Sequence, residues 1–384
     1  MIERLHAGFD TLDVAFAGAL PDEALETLKE ARDRAQESQE PTLARLGTVD
    51  MHVAGHGMRG GYAYVCDTGP LGAKWMVKAN PDTREWNIFA SPRATTLLAL
   101  GHAGTRDHLF SELAAMGARI SDHSLNRVDF AMDFRTRCFE PRLDQFVAHA
   151  HTKVQPHWGD RRAVPTDRNQ PAAVVRGRRL ESVTIGKQPG RQVILYDKRR
   201  EAIARQKGFW FEAWGVDRRD PALEVWRVEV RAGKKELRDK YQLRTFADFE
   251  AGIGDVIANA LQEVRYLADH QRDGNVTRQA LHPLWQAAQE VAGGDLTALR
   301  SGLTPGQVQQ IERAEAIERY VKLLQGIGIG LGVAEGLSDE AITTHLPTLA
   351  AERLKAGIEG GGSHVTAAIA RARARLYFVG PKPL

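Results

Sequence analysis

The segment Leu125–Phe134 constrains this chain more than any other. Val128, Phe130, Met132 and Phe134 alternate with Arg127, Asp129, Ala131 and Asp133. Successive side chains of a strand point to opposite faces, so this spacing sets large apolar groups on one face and an arginine with two carboxylates on the other. Wound as a helix, the same residues would scatter both sets around the axis. The segment therefore asks for a sheet with one dry face and one charged face.

Two further segments carry the same alternation. In Trp226-Arg227-Val228-Glu229-Val230-Arg231 the charged residues Arg227, Glu229 and Arg231 share a face, opposite Trp226, Val228 and Val230. Gln192-Val193-Ile194-Leu195-Tyr196-Asp197-Lys198 brings a tyrosine and a lysine. If the three strands are neighbours, one sheet face gathers carboxylates, arginines and Tyr196. Carboxylate oxygens suit Mg²⁺ or Mn²⁺, and arginine or lysine beside them suits a phosphate. Together they make a site for metal-assisted attack on a phosphodiester. The same pattern also serves cross-strand ion pairs on a solvated face, and a strand-end tyrosine can simply pack.

The rest of the chain reads as α+β. Residues 10 to about 40 look helical, with Leu25, Leu28 and Ala31 at helical spacing after Leu20-Pro21-Asp22-Glu23, which gives an N-terminal helical arm over 1–47. Short β-prone runs follow at 49–54, 62–67, 75–78 and 86–90, as antiparallel sheet. A helix is expected over 94–116 and another from Arg142 to about His151. A Pro- and Arg-rich loop runs to Gln170. Strands resume at 173–178, 180–185 and 192–196, a charged helix covers 197–207, and the last strand is 223–231. Beyond Arg244 the pattern is helical: 246–267, 278–291, 305–325, 339–356 and 365–376. The expected division is 1–47, a sheet domain over 48–270, and a helical C-terminal region over 271–384.

Composition narrows the function classes. A chain of 384 residues with 43% hydrophobic and 26% charged residues is neither disordered nor collagenous. Two cysteines, Cys66 and Cys138, are too few for a disulfide framework or a thiolate zinc site and suit a reducing cytoplasm. No apolar run reaches the ~18–20 residues of a membrane span, and Met1-Ile2-Glu3-Arg4 opens no signal-peptide core. A cytoplasmic protein with no membrane partner is expected. The net charge is only +3, yet Asp160–Lys207 holds 13 Lys/Arg against five Asp/Glu. A basic block in a near-neutral chain is either a footprint for a polyanion or a solvated loop.

One longer stretch carries a resemblance. Thr184-Ile185-Gly186 followed by Gln192, then Tyr196-Asp197-Lys198 with Glu201, then Trp226-Arg227-Val228-Glu229 about thirty residues on, resembles the replication initiation factor family, the Rep-trans type of rolling-circle initiator of plasmids and phages. Trp86-Asn87-Ile88-Phe89 and Arg127-Val128-Asp129 also fit, so that the likeness spans roughly residues 48–270. It implies an antiparallel-sheet nicking domain. There, Tyr196 attacks an origin phosphodiester, becomes joined to the 5′ phosphate and frees a 3′ hydroxyl primer. Free tyrosine, with a pKa near ~10, is a poor nucleophile at neutral pH. Lys198 and Arg227 would favour the phenolate and stabilise charge on the phosphorane. Mg²⁺ or Mn²⁺ would be held by Asp129 and Glu229, with Asp133 third. Arg127, Arg231 and the basic block (Arg176, Arg178, Arg179, Lys187, Arg191) would grip single-stranded or extruded origin DNA. A host helicase and polymerase, and a second copy of the chain, are the other partners implied.

His149-Ala150-His151 is the spacing of a metal-binding strand, but its flanks look helical, which would turn the two rings apart. His52 and His56 flank Gly55–Gly61, which lacks the Gly-Lys-Ser/Thr of a phosphate loop and reads as a hairpin rim. Tyr62 and Tyr64 are packing or base-stacking residues. Tyr241 and Tyr266 rival Tyr196 by residue type alone, and Trp210 and Trp214 are either core anchors or a DNA-facing wedge. Two other functions share these residues: a nuclease in which water attacks, and a non-catalytic DNA-binding regulator.

Overall fold

A computed structural model describes residues 2–148, 173–176 (backbone only), 179–269 and 279–380. Its centre is an antiparallel sheet of eleven strands. The two longest, β1 (Glu3–Ala19) and β7 (Arg119–Thr136), run side by side in the middle. On one flank β1 is followed outward by β6 (Trp86–Pro92), β5 (Ala73–Val77), β4 (Tyr64–Asp67), β3 (Val49–Val53) and β2 (Thr42–Leu46). On the other, β7 is followed by β12 (Glu224–Gly233), β11 (Arg191–Asp197), β10 (Arg179–Gly186) and β9 (Ala173–Arg176). The fold is α+β, with a helical C-terminal region, as the sequence pattern predicts.

The apolar alternation of β7 is matched across the sheet. Phe130 stands opposite Phe9 on β1 and Val230 on β12, and all three are buried. Each such fully buried side chain contributes ~1.5–3 kcal/mol. Helices α1 (Asp22–Ser38) and α2 (Ala94–Ala115) cover this dry face beneath the β2–β6 flank, and α5 (Phe246–Glu263) and α6 (Pro283–Ala292) cover it beneath β7, β12 and β11. The charged face is covered locally by α3 (Lys198–Ala204) and α4 (Phe209–Trp214), which build a second core from Phe209, Trp210, Phe211, Trp214 and Val225. Gly186 ends β10 at φ +94°, where a Cβ would lie 2.2 Å from the Arg191 carbonyl oxygen. Only glycine allows the chain to turn there into β11.

Three sequence expectations are corrected. Residues 3–19 are a central strand rather than part of a helical arm, and 42–46 form the edge strand β2. The register of β1 shifts between Phe9 and Thr11, leaving Asp10 in a bulge. Phe9 and Leu12 thereby meet the same apolar face three residues apart, a spacing that imitates a helix. The helix expected from Arg142 is a single 3₁₀ turn, Leu143–Gln145, followed by β8 (Phe146–Val147). β8 pairs with β13 (Arg265–Tyr266), which also ends α5 four residues before the expected Leu267. His149 and His151 lie outside the described residues.

The C-terminal helices are long and capped where expected. Thr304 caps α7 (Pro305–Ala334) with Gln307 completing a capping box, and Ser338 caps α8 (Asp339–Gly360). α9 (Gly362–Arg375) follows the glycine break. α7 leaves Leu324 and Ile327 exposed. Among the described residues no helix is long and apolar enough to cross a membrane.

Candidate active site

Register decides which polar side chains meet. On β12, Arg231 stands opposite Asp129, Glu229 opposite Ala131 and Arg227 opposite Asp133 of β7. On the other side, Tyr196 of β11 stands opposite Arg227, and Ile194 opposite Glu229. The three strands are thus neighbours, and their polar residues share one face.

Two layers of charge lie on that face. In the outer layer, the Tyr196 hydroxyl donates to Glu229 Oε2 at 2.8 Å, and Arg231 Nε donates to Glu229 Oε1 at 2.5 Å. Arg231 also approaches Asp129 Oδ2 at 3.6 Å, and Arg127 grips Asp129 with Nε at 2.8 Å and with Nη2. The inner layer is dry. Arg227 donates to both oxygens of Asp133 at 2.6 and 2.8 Å, and Trp214 Nε1 donates to Asp133 Oδ2 at 2.8 Å. Arg227 Nη1 reaches Asp10 at 3.2 Å, and its guanidinium lies 4.1 Å from the centre of the Trp210 ring. His6 of β1 packs edge-on against the same tryptophan. Trp210 and Trp214 are core anchors.

Lys198 links the layers. Its ammonium lies 2.7 Å from Glu201, 3.5 Å from the Tyr196 hydroxyl and 4.7 Å from the Trp210 ring centre. Lys207 reaches the other oxygen of Glu201 at 3.1 Å. These residues, with Asp10, Tyr196, Glu229 and Arg231, line an open cleft of about 900 Å³ between the sheet and α3.

Burial and neighbours set the protonation states. Burial pushes the Tyr196 hydroxyl well above its usual pKa despite Arg227, so the resting side chain is the neutral phenol. Burial, with the Arg227 charge beside it, lowers Lys198. Burial raises Asp129 to about 6; the Arg127 hydrogen bond opposes this, and the Glu229 charge adds to it. Burial would raise Asp10 too, but Arg227, Lys198 and Lys207 outweigh it and hold the carboxyl at about 2. Burial holds His6 at about 4, hence neutral.

No family model matches the chain, and no curated protein matches it. A solved structure that it resembles is that of a rolling circle replication initiator protein from Geobacillus stearothermophilus, at 15% identity and a TM-score of 0.40, over 79% of this chain and all of that one.

Several sequence assignments change. Arg227 has no exposed surface and is spent on Asp133 and Asp10, so it cannot touch a phosphate. Of the residues expected to hold Mg²⁺ or Mn²⁺, Asp129 and Glu229 lie in the outer layer and Asp133 in the inner one. Both oxygens of each already accept from arginine, tryptophan or tyrosine, and among the described residues no three His, Cys, Asp or Glu side chains are grouped to hold an ion. The described residues of the basic block are dispersed. Arg179 pairs with Asp197, Arg191 with Glu236 and Glu263, and Lys187 is exposed at the β10–β11 turn. The side chain of Arg176 and all of Arg178 lie outside the described residues. Tyr266 is buried, its hydroxyl bonded to Gln145. Asp10, His6 and Lys207 were missed. For His6 and Asp10 the one signal is that His6, Gly8, Thr11 and Asp13 alternate with apolar residues on either side of the bulge, and Lys207 stands out only as the end of the basic block.

Proposed function

We propose that this chain nicks a DNA strand by attack of the Tyr196 hydroxyl on a phosphodiester. The observation that carries the reading is the 2.8 Å hydrogen bond from Tyr196 to Glu229 inside an open cleft that also holds Lys198. A neutral phenol needs a base at the moment of attack, and Glu229 is already the acceptor of its proton. The phenol oxygen forms a bond to phosphorus as the bond from phosphorus to the 3′ oxygen breaks. The phenol proton passes to Glu229, and the 3′ oxygen leaves and takes up a proton from water in the open cleft to become a hydroxyl. Lys198 lies beside the phenol oxygen, where negative charge gathers on the phosphoryl oxygens. Arg227 acts as a positioning residue: its cation beneath Tyr196 favours the phenolate without touching substrate. Asp129 and Glu229 would hold Mg²⁺ or Mn²⁺ by exchanging Arg127, Arg231 or the Tyr196 hydroxyl for the ion, which would add positive charge beside the phosphodiester.

The sequence resemblance to Rep-trans initiators supports origin DNA of a plasmid or phage as the substrate, and rolling-circle initiation as the purpose. The test uses single-stranded oligonucleotides from the genetic element that encodes the chain, with Mg²⁺, Mn²⁺ or EDTA, run on a denaturing gel. A protein–DNA adduct formed by the wild type and lost in Tyr196→Phe is the expected result. Cleavage without an adduct would make the chain a hydrolytic nuclease. Binding without cleavage would make it a DNA-binding regulator.

A further inference from the structure

The polar face does not stop at the tyrosine cleft. Register carries it across the other half of the sheet: Arg127 on β7 stands opposite Asp13 on β1, and Asp13 accepts from Ser91 on β6 at 2.6 Å. Ser91 stands opposite Lys74 on β5, Lys74 opposite Asp67 on β4, and Asp67 opposite His52 on β3. Above Ser91, Lys74, Asp67 and His52 lies a second open cavity of about 610 Å³. It meets the tyrosine cleft at Asp10 and Lys207, which line both. The two form one groove. From Tyr196 on β11 to Lys74 on β5 it crosses five strand spacings, roughly 24 Å, and also runs along the strands, because the row of Tyr196 (Arg227, Asp133, His6) is not the row of Lys74 and Ser91.

We propose that this groove carries the DNA strand onward from the nick site, with Lys207, Lys74 and Arg375 against its phosphates and Phe378 beside its bases. The inference rests on the nicking reading for its direction, since the groove starts at Tyr196. Charge selects a polyanion. The acidic groups along the groove are largely answered: Asp67 pairs with Arg93, Asp10 with Arg227, and burial pushes the Glu312 carboxyl up toward its neutral form. The aromatic wall at Phe378 selects a single strand, because unpaired bases can stack on a side-chain ring whatever their sequence. A span of at least ~24 Å suits single-strand sites of about 4 nucleotides or more. The far wall is the C-terminal segment. Tyr377 donates to Asp50, His52 Nε2 donates to the Ala374 carbonyl at 2.7 Å, and the Phe378 ring packs edge-on against His52 at 5.1 Å.

The test is binding of labelled oligothymidylates of about 2 and about 20 nucleotides, followed by fluorescence anisotropy. Wild type is expected to bind the long probe at least tenfold more tightly than the short one. Lys74→Glu with Arg375→Glu should remove that gain and leave the short probe unaffected. The milder pair Lys74→Gln with Arg375→Gln should lower the salt slope by about 0.7 for each phosphate no longer neutralised. Equal affinities of wild type for both probes, or an undiminished length gain in the charge-reversed variant, would overturn the groove. Failure of the nicking reading is separate: it is read from the adduct gel, whereas oligothymidylate binding needs no cleavage.

Discussion

The Arg227–Asp133 pair is a place where one substitution separates a buried positioning charge from a phosphate ligand. Neither side chain has exposed surface. Arg227→Met keeps much of the side-chain bulk but strips Asp133 of two charge-assisted hydrogen bonds, at 2.6 and 2.8 Å, and Asp10 of its ion pair at 3.2 Å. Asp133 is left with Trp214 as its donor. Removing one partner of a buried ion pair costs about 3–5 kcal/mol, most of it the desolvation of the orphaned charge. Replacing both partners, as in Arg227→Met with Asp133→Leu, removes the fully buried orphan at Asp133 and leaves only Asp10 without its arginine. That double variant should be more stable than the single one, even though Trp214 Nε1 loses its acceptor, a loss of ~1–3 kcal/mol. The deficit must also depend on pH. With Arg227 present, its charge outweighs burial and holds the Asp133 carboxyl below the usual range. Without it burial wins, and the folded-state pKa rises above the unfolded value. The folded variant then takes up a proton before the unfolded chain does, so its deficit relative to wild type should shrink as pH falls from 8 toward 5. Urea unfolding followed by tryptophan fluorescence, with Trp210 and Trp214 at the site, measures all three proteins at both pH values. A single-variant loss below about 1 kcal/mol, or one that does not change with pH, would refute the buried-pair account.

Further outcomes can be measured on the same protein. Glu229→Gln should slow adduct formation by about 10²–10⁴-fold while oligonucleotide affinity stays unchanged, as for loss of a general base; adduct formation at the wild-type rate would remove Glu229 from that role. His6 is held at about 4 against an ordinary 6.5, so the unfolded chain binds its proton first. Stability is therefore lost as pH falls from 6.5 to 4, by about 3 kcal/mol in all, and His6→Phe should flatten the curve in that window. The two cysteines should react unequally with a maleimide. Cys138 is exposed, whereas Cys66 is buried and its thiol is pushed up to about 12, so one thiol should label at once and the other only after unfolding.

The parts of the fold legible in the sequence are those where local pattern and tertiary environment agree. β7 and β12 read as strands because the sheet buries their alternating faces as the alternation demands, and α7 and α8 read as helices because their caps are local. β1 is the opposite case. Its bulge at Asp10 changes the spacing of buried residues from two to three, and nothing in residues 3–19 reveals that β7, far along the chain, holds them extended. β8 and β13 are likewise made by their pairing, through Phe146 and Tyr266, whose rings lie 4.6 Å apart. The candidate site divides in the same way. That Asp129, Tyr196 and Glu229 share a face follows from parity along three strands. That Arg227 is shut away from substrate does not, because the lid of Trp210 and Trp214 comes from a separate helix that folds back over the face.

The two meanings of the alternating charges, ion pairs or reactive site, turn out not to exclude one another. A solvated face would leave its ion pairs in water, where each contributes little. Here Asp129, Asp133, Arg227 and Glu229 are each at most 1% exposed, a placement whose desolvation cost roughly cancels its Coulombic gain. Burying four charges is therefore a poor way to stabilise a sheet and an effective way to fix a geometry. What that geometry fixes is Tyr196, whose hydroxyl is held on Glu229, with the Lys198 ammonium 3.5 Å away and an open cleft in front. An ion-pair ladder serving the sheet alone would have no need to end on a phenol where the face opens to solvent. The buried ladder is thus better understood as the support of the tyrosine than as an alternative to it.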